Sequence, residues 1–141
     1  MHESRIRVRF DEVDTMGIVH HPRYLVYFEI ARTEWFRALG IAYSEVMSTG
    51  THLAVVETGV RHHRPAKYDD EIVVISRCTE VGGASMRLTY EVRRGEELLA
   101  TGFTRLGAVD TAGRPKRMSE DLRARFDAAA SDAPTPPRGQ S

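Results

Sequence analysis

Between residues 22 and 39, apolar side chains recur at the spacing of a helix. Projected on a helical wheel, Tyr24, Tyr27, Phe28, Ala31, Trp35, Ala38 and Leu39 fill one face with no polar residue among them. Leu25, Val26, Ile30 and Phe36 place further apolar groups elsewhere, so the pattern predicts a helix that other structure covers on most sides. Pro22 suits the first helical position, where a missing N–H costs nothing, and it pushes His21 toward the extended geometry of an N-cap. Gly40 is a natural stop.

The rest of the chain alternates with a period of two. Ile6, Val8 and Phe10 alternate with Arg5, Arg7 and Arg9, which predicts a half-buried strand before the helix. After a loop around residues 48–51, stretches 53–63 and 71–81 are rich in Val and Ile, with Pro65 between them. Gly82-Gly83 predicts a reversal into a strand where Met86, Leu88, Tyr90 and Val92 face away from Arg87, Thr89, Glu91 and Arg93. Gly95 marks the next turn, and residues 98–109 form the last long strand. Ser119 is a candidate cap for a short helix carrying Leu122, Phe126 and Ala129. The segment from Ser131 on, with three prolines and few apolar residues, reads as a disordered tail after a single domain spanning 1–130. Strand, apolar helix, then four strands predicts an α+β fold with an antiparallel sheet curling around the helix. A single sheet layer leaves edges to cover, which favours self-association.

Composition removes classes of function rather than choosing one. The 141 residues suffice for one domain, and the 20 basic and 20 acidic side chains balance. Without a basic run there is no electrostatic reason to bind nucleic acid. The single cysteine, Cys78, excludes an intramolecular disulfide and a CxxC pair, and it reads as a small buried hydrophobe. MHESRIRVRF lacks the apolar core of a signal peptide, and no stretch reaches the roughly 18 apolar residues of a membrane span. These features suit a reducing cytoplasm.

Candidate chemistry gathers before the helix. Asp14-Thr15-Met16-Gly17 has Asp and Gly at the first and last places of a type I turn, a few residues ahead of the helix start. Unpaired N–H groups and the peptide dipoles make a helix start suited to a carbonyl oxygen that becomes an oxyanion. A carboxylate just upstream is then placed to act as base or nucleophile, with no metal required. Asp14 equally fits an ordinary turn residue, and Gly17 fits a need for backbone freedom. Asp11, the rival carboxylate, continues the outward parity of the first strand. The pairs His20-His21 and His62-His63 suggest zinc, but strand neighbours point to opposite faces and neither HxH nor HExxH is present. His21 reads instead as a cap or a polar group beside the oxyanion position. No nucleophile elbow surrounds Ser85 or Ser119. Arg64, Lys67, Arg87 and Arg93 are candidate phosphate holders for a nucleotide-bearing substrate, and each also fits a solvated strand face.

The run from Val8 through Asp14-Thr15-Met16-Gly17-Ile18-Val19-His20-His21-Pro22-Arg23-Tyr24-Leu25 resembles the signature of hotdog-fold acyl-CoA thioesterases of the hydroxybenzoyl-CoA thioesterase-like branch. It is most similar to those associated with the Tol-Pal system. Arg64-Pro65-Ala66-Lys67-Tyr68-Asp69-Asp70-Glu71, Leu98-Leu99-Ala100-Thr101-Gly102 and Gly113-Arg114-Pro115 resemble the later family segments, so the likeness spans residues 5–118. The resemblance implies a hotdog fold, a sheet wrapped around one long central helix. It implies pairing into homodimers, often tetramers, with active sites at the dimer interface. It places Asp14 as nucleophile or general base, His21 as a polar partner, and the backbone N–H near Tyr24 on the substrate carbonyl. Gly17, Val19, His20, Arg64 and Lys67 are the residues expected to bind an acyl-CoA substrate, and no cofactor is expected. His20, Arg23 and Met16 depart from the family pattern beside the expected acyl pocket, leaving short, long and aromatic acyl groups all open. Two other functions compete: a non-catalytic hotdog that binds acyl thioesters or acts as a scaffold, and a hydratase or dehydratase on hydroxyacyl thioesters.

Overall fold

The computed structural model describes residues 1–131, so the tail expected after Ser131 lies outside the described residues. Five strands form one antiparallel sheet: β1 (His2–Arg7), β2 (His52–His62), β3 (Glu71–Val81), β4 (Ser85–Arg94) and β5 (Glu97–Val109). Their order is β1-β3-β4-β5-β2, which leaves β1 and β2 as the edges. Three helices accompany them: α1 (Arg23–Ala38), α2 (Tyr43–Ser48) and α3 (Glu120–Ser131).

Alternation decides which face of the sheet is buried. Ile72, Val74, Ser76 and Cys78 on β3 and Met86, Leu88, Tyr90 and Val92 on β4 point inward. α1 lies against this face with Tyr24, Tyr27, Phe28, Ala31, Trp35 and Phe36 buried. It comes down tightly at Phe28, whose ring stacks on Tyr90 with centroids 4.3 Å apart. Tyr90 pairs across the ladder with Gly102, and a Cβ on Gly102 would sit 2.5 Å from the Phe28 ring and 2.7 Å from the Gly59 carbonyl oxygen. A glycine in mid-strand thus marks where the helix comes down on the sheet. α3 closes one end as predicted: the Ser119 hydroxyl accepts the Leu122 N–H at 3.2 Å, and Phe126 packs against Trp35 and Phe36.

Several expectations need correction. β1 ends at Arg7, and Phe10 is 77% exposed in a 3-10 turn, Phe10–Glu12, rather than inward on a strand. Asp11 lies on that turn, paired with Arg9, instead of on a strand end. α1 begins at Arg23, with Pro22 in the capping place and no side-chain cap, so His21 does not cap the helix. Ala38 is exposed although the wheel puts it on the buried face, and Phe36, which the wheel puts elsewhere, is buried. α2 has no counterpart in the sequence pattern, because its six residues are too few to show a helical period.

Candidate active site

Residues 13–19 form a small hairpin that presents Asp14. Val13 and Val19 bridge antiparallel, and the Asp14 N–H donates to the Ile18 carbonyl at 2.9 Å. Gly17, at φ 78°, closes the turn by donating its N–H to the Asp14 carbonyl at 2.9 Å. The carboxylate itself organises the loop: Oδ1 accepts the N–H groups of Met16 (2.8 Å) and Ile18 (3.3 Å). Oδ2 receives no hydrogen bond from the described residues, and the side chain is exposed. The two oxygens therefore divide the work, one holding shape and one available.

The link between β2 and β3 locks this hairpin in place. Val19 N–H donates to the Ala66 carbonyl (2.9 Å), Tyr68 N–H donates to the Gly17 carbonyl (3.2 Å), and Ile18 bridges Lys67. Ala66 is fully buried, and its own N–H donates to the Tyr24 hydroxyl at 3.3 Å. One residue thus ties the Asp14 hairpin to the start of α1. The link is clamped from behind: Asp70 Oδ2 accepts the Lys67 N–H (2.8 Å) and Arg94 Nη1–H (2.6 Å), and Arg94 also donates to the Pro65 carbonyl. Burial raises the Asp70 pKa, but the Lys67 N–H and the Arg94 guanidinium outweigh it and hold the carboxyl below its usual range. Asp69 lies beside it at φ 69°, a left-handed conformation that Asp tolerates better than most residues.

At the helix start, Arg23 N–H donates to the His20 carbonyl at 2.9 Å and Leu25 N–H to Pro22 at 3.2 Å. Tyr24 N–H reaches the His21 carbonyl only at 3.4 Å, the longest of these three bonds, so it is the donor most readily lent to a ligand. The Tyr24 ring is buried, stands edge-on to His62 at 4.9 Å and Tyr27 at 5.8 Å, and burial raises the pKa of its phenol. That phenol is neutral, and its oxygen serves position by accepting the Ala66 N–H.

Of the residues singled out from sequence, Asp14, Gly17, Val19, Lys67 and Tyr24 are joined by this hydrogen-bond network. Val19 is buried and helps hold the hairpin rather than forming an open wall. His20 and His21 are exposed with rings 5.0 Å apart. Arg64 is engaged with Glu97 at 3.2 Å, whereas the exposed Lys67 has no side-chain partner among the described residues. Sequence reading weighs His62 only as a zinc ligand and misses its place in the site: its ring packs on Tyr24, and its pKa is lowered by burial and then by His21 and His63. It also passes over Glu12, only 5% exposed, whose Oε1 accepts the Arg9 N–H at 2.7 Å and whose carbonyl accepts the His20 N–H. Glu12 thus makes only the return half of a capping box, and with Arg9 in place of a Ser or Thr the sequence carries no signal for it. Nothing local in the sequence marks the contact of His62 with Tyr24 or the Asp70–Arg94 clamp. Among the described residues no three His, Cys, Asp or Glu side chains are grouped to hold a metal ion.

One antiparallel sheet in this strand order, with a helix inserted after its first strand and packed on its inner face, defines a hotdog-fold protein of the thioesterase class. The chain belongs to the thioesterase-like superfamily, whose pattern matches residues 8–126. It is 29% identical to the acyl-CoA thioesterase YbgC of Haemophilus influenzae, across 86% of this chain and 90% of that protein. Among solved structures it is similar to the hypothetical protein TT1821 of Thermus thermophilus, at 35% identity and TM-score 0.85, covering 90% of this chain and 98% of the other. A second Thermus thermophilus protein, a thioesterase complexed with coenzyme A and Zn, is 29% identical with TM-score 0.79, covering 93% and 95%.

Proposed function

We propose that this protein hydrolyses acyl-CoA thioesters, with Asp14 as the reacting carboxylate and the Tyr24 N–H as oxyanion donor. The observation that carries the reading is the division of Asp14: Oδ1 is used by the turn and Oδ2 is left exposed, one short hairpin away from the helix start. A thioester carbonyl seated on the Tyr24 N–H gains negative charge as the carbon is attacked, and the positive end of α1 stabilises it. Asp14 either takes a proton from the attacking water or attacks the carbon itself, forming an anhydride that water then opens. In both routes the C–S bond breaks, the thiolate leaves and is protonated, and the acyl group departs as free acid. His21 is proposed as a polar neighbour of the carbonyl, and Gly17, Val19 and His20 as the frame of the acyl entrance. Lys67, with its free ammonium, is proposed to meet the CoA phosphates, with Arg64 behind it. The YbgC relative and the coenzyme A held by the Thermus thioesterase support CoA as carrier and a place near the Tol-Pal-associated branch.

The working unit proposed is a homodimer, with further pairing into tetramers, of single domains spanning residues 1–130 in the cytoplasm. β2 is an open sheet edge with Val55 and Val56 50% and 51% exposed, a surface that pairing would cover. No described helix is long and apolar enough to cross a membrane. The deciding experiment is thiol release from short, long and aromatic acyl-CoAs by the wild type and by Asp14→Asn. Asn keeps an oxygen for the Met16 and Ile18 N–H groups, so the variant folds; its kcat is expected to drop by at least about a hundredfold. Equal rates would remove Asp14 from the mechanism, and no release with any thioester would leave a binding or scaffold protein.

A further inference from the structure

Two turns beyond Tyr24, α1 carries a cation whose partners do not match its charge. Arg32 is half-buried, and its Nη1 donates to the hydroxyls of Tyr90 at 3.4 Å and Thr104 at 3.5 Å. Both bonds are long for N–H···O and both acceptors are neutral. Among the described residues Arg32 has no carboxylate partner. A guanidinium offers five N–H donors in a planar fork that fits a carboxylate, so most of this capacity is unused. None of its nitrogens is both buried and without a partner, so the unused N–H groups face solvent and are open to an incoming anionic oxygen.

Arg32 borders a cavity of about 740 Å³ lined by apolar groups that include Phe36, Ile41, Leu53 and Leu106. That size suits a small organic ligand, and a few polar groups in an apolar wall are what fixes a ligand's orientation. The other charges on the wall are Glu29 and Arg37, so the cavity carries one negative and two positive side chains. Along the helix axis Arg32 lies roughly 12 Å from Tyr24. Between the two, exposed Leu25 shares the side of α1 that carries Arg32 and is the one apolar step on the path from the oxyanion donor toward the cavity, whereas Val26 and Ile30 lie on another side. An extended chain advances roughly 1.2 Å per bond, so the path matches about ten bonds.

We propose that this cavity receives the far end of the acyl group, and that the preferred substrate carries an oxygen acceptor there, bound by Arg32. A terminal carboxylate matches the fork best; a hydroxyl or keto oxygen offers the same contact more weakly. The inference rests on the thioesterase reading for the carbonyl end only.

The test compares acyl-CoAs of matched length, near ten carbons, ending in methyl, hydroxyl or carboxylate. The proteins are the wild type, Arg32→Met and Ala42→Trp, the last adding bulk to the cavity wall while keeping the Arg32 side chain. In parallel, calorimetry measures binding of uncleavable S-alkyl-CoA thioethers ending in methyl or carboxylate. In the wild type the carboxylate-ended substrate is expected to exceed the methyl-ended one in kcat/KM by about tenfold or more, with hydroxyl between. Arg32→Met is expected to bring the ratio to about one, and Ala42→Trp to weaken every long substrate while sparing acetyl-CoA. The thioethers are expected to show the same Arg32-dependent ratio in Kd. A methyl-ended substrate and thioether that match or beat their carboxylate-ended partners in the wild type would overturn the proposal. Arg32-dependent thioether binding without any turnover would uphold the cavity and sink the hydrolysis reading. Turnover without preference, at any length, would do the reverse.

Discussion

Adding one methyl group at position 102 tests how α1 is seated. Gly→Ala in a strand ordinarily stabilises by about 0.4–1 kcal/mol, because it removes freedom from the unfolded chain without straining the folded one. Here the new Cβ would stand 2.5 and 2.6 Å from two atoms of the Phe28 ring and 2.7 Å from the Gly59 carbonyl oxygen. Carbon atoms prefer about 3.5–4.0 Å, so the ring must retreat by roughly 1 Å. Phe28 cannot turn aside freely, since Tyr90 is stacked on it, and the Gly59 oxygen belongs to backbone beside the β2–β5 ladder. Overpacking of this kind costs about 1–3 kcal/mol, which reverses the usual sign of the substitution. Urea unfolding at fixed protein concentration is the assay; a loss of about 2 kcal/mol lowers the midpoint by on the order of 1 M with an unchanged slope. Gly59→Ala serves as the control, because the three atoms nearest its Cβ, the first at 2.7 Å, all belong to the Phe103 ring, a half-buried side chain, and none to backbone. A midpoint for Gly102→Ala that is unchanged or raised would refute the claim that this glycine seats the helix.

The clamp behind the hairpin predicts a pH signature. The Asp70 pKa is lowered in the fold, so its contribution is present at neutral pH and is lost as pH falls from the unfolded carboxylate value, about 3.9, through the folded one. Asp70→Asn is expected to cost about 1–2 kcal/mol at pH 7, with the gap to wild type closing on acidification; urea midpoints across pH 7 to 3 check this, and a constant gap contradicts it. Tyr24→Phe removes the acceptor of the buried Ala66 N–H and is expected to cost about 1–2 kcal/mol in unfolding. Its kcat is expected to fall modestly with KM little changed, as steady-state kinetics would show. Cys78 is buried with its thiol pushed up to about 12, so iodoacetamide is expected to label it only after unfolding, read by mass spectrometry.

The sheet was legible because alternation is a local property: the four strands from β2 to β5 fall within one residue of their expected bounds. Strand order was not, since no spacing says that β1 joins β3 or that β2 returns to the far edge beside β5. Errors gather where tertiary packing overrides pattern. Phe10 continues a perfect alternation with Ile6 and Val8, yet the chain leaves the sheet at Arg7 and sends that ring outward onto Tyr68, centroids 5.7 Å apart. In the site, the turn chemistry of Asp14 and Gly17 was readable from residue type. The parts supplied by distant segments were not: Ala66 joining hairpin to helix, His62 against Tyr24, Arg94 on Asp70, and Arg32 beneath a cavity all depend on contacts across tens of residues.

The two oxygens of Asp14 bear on how this scaffold diverges. Oδ1 shapes the loop and Oδ2 stands free, so a descendant with Asn at this position keeps every backbone bond of the hairpin and alters a single exposed atom. On the mechanism proposed for Asp14, a lineage would cross from turnover to capture in one substitution, with no intermediate that misfolds. Shape and overall likeness are blind to that crossing. Within such a lineage, the side chain at position 14 is the character to sort by.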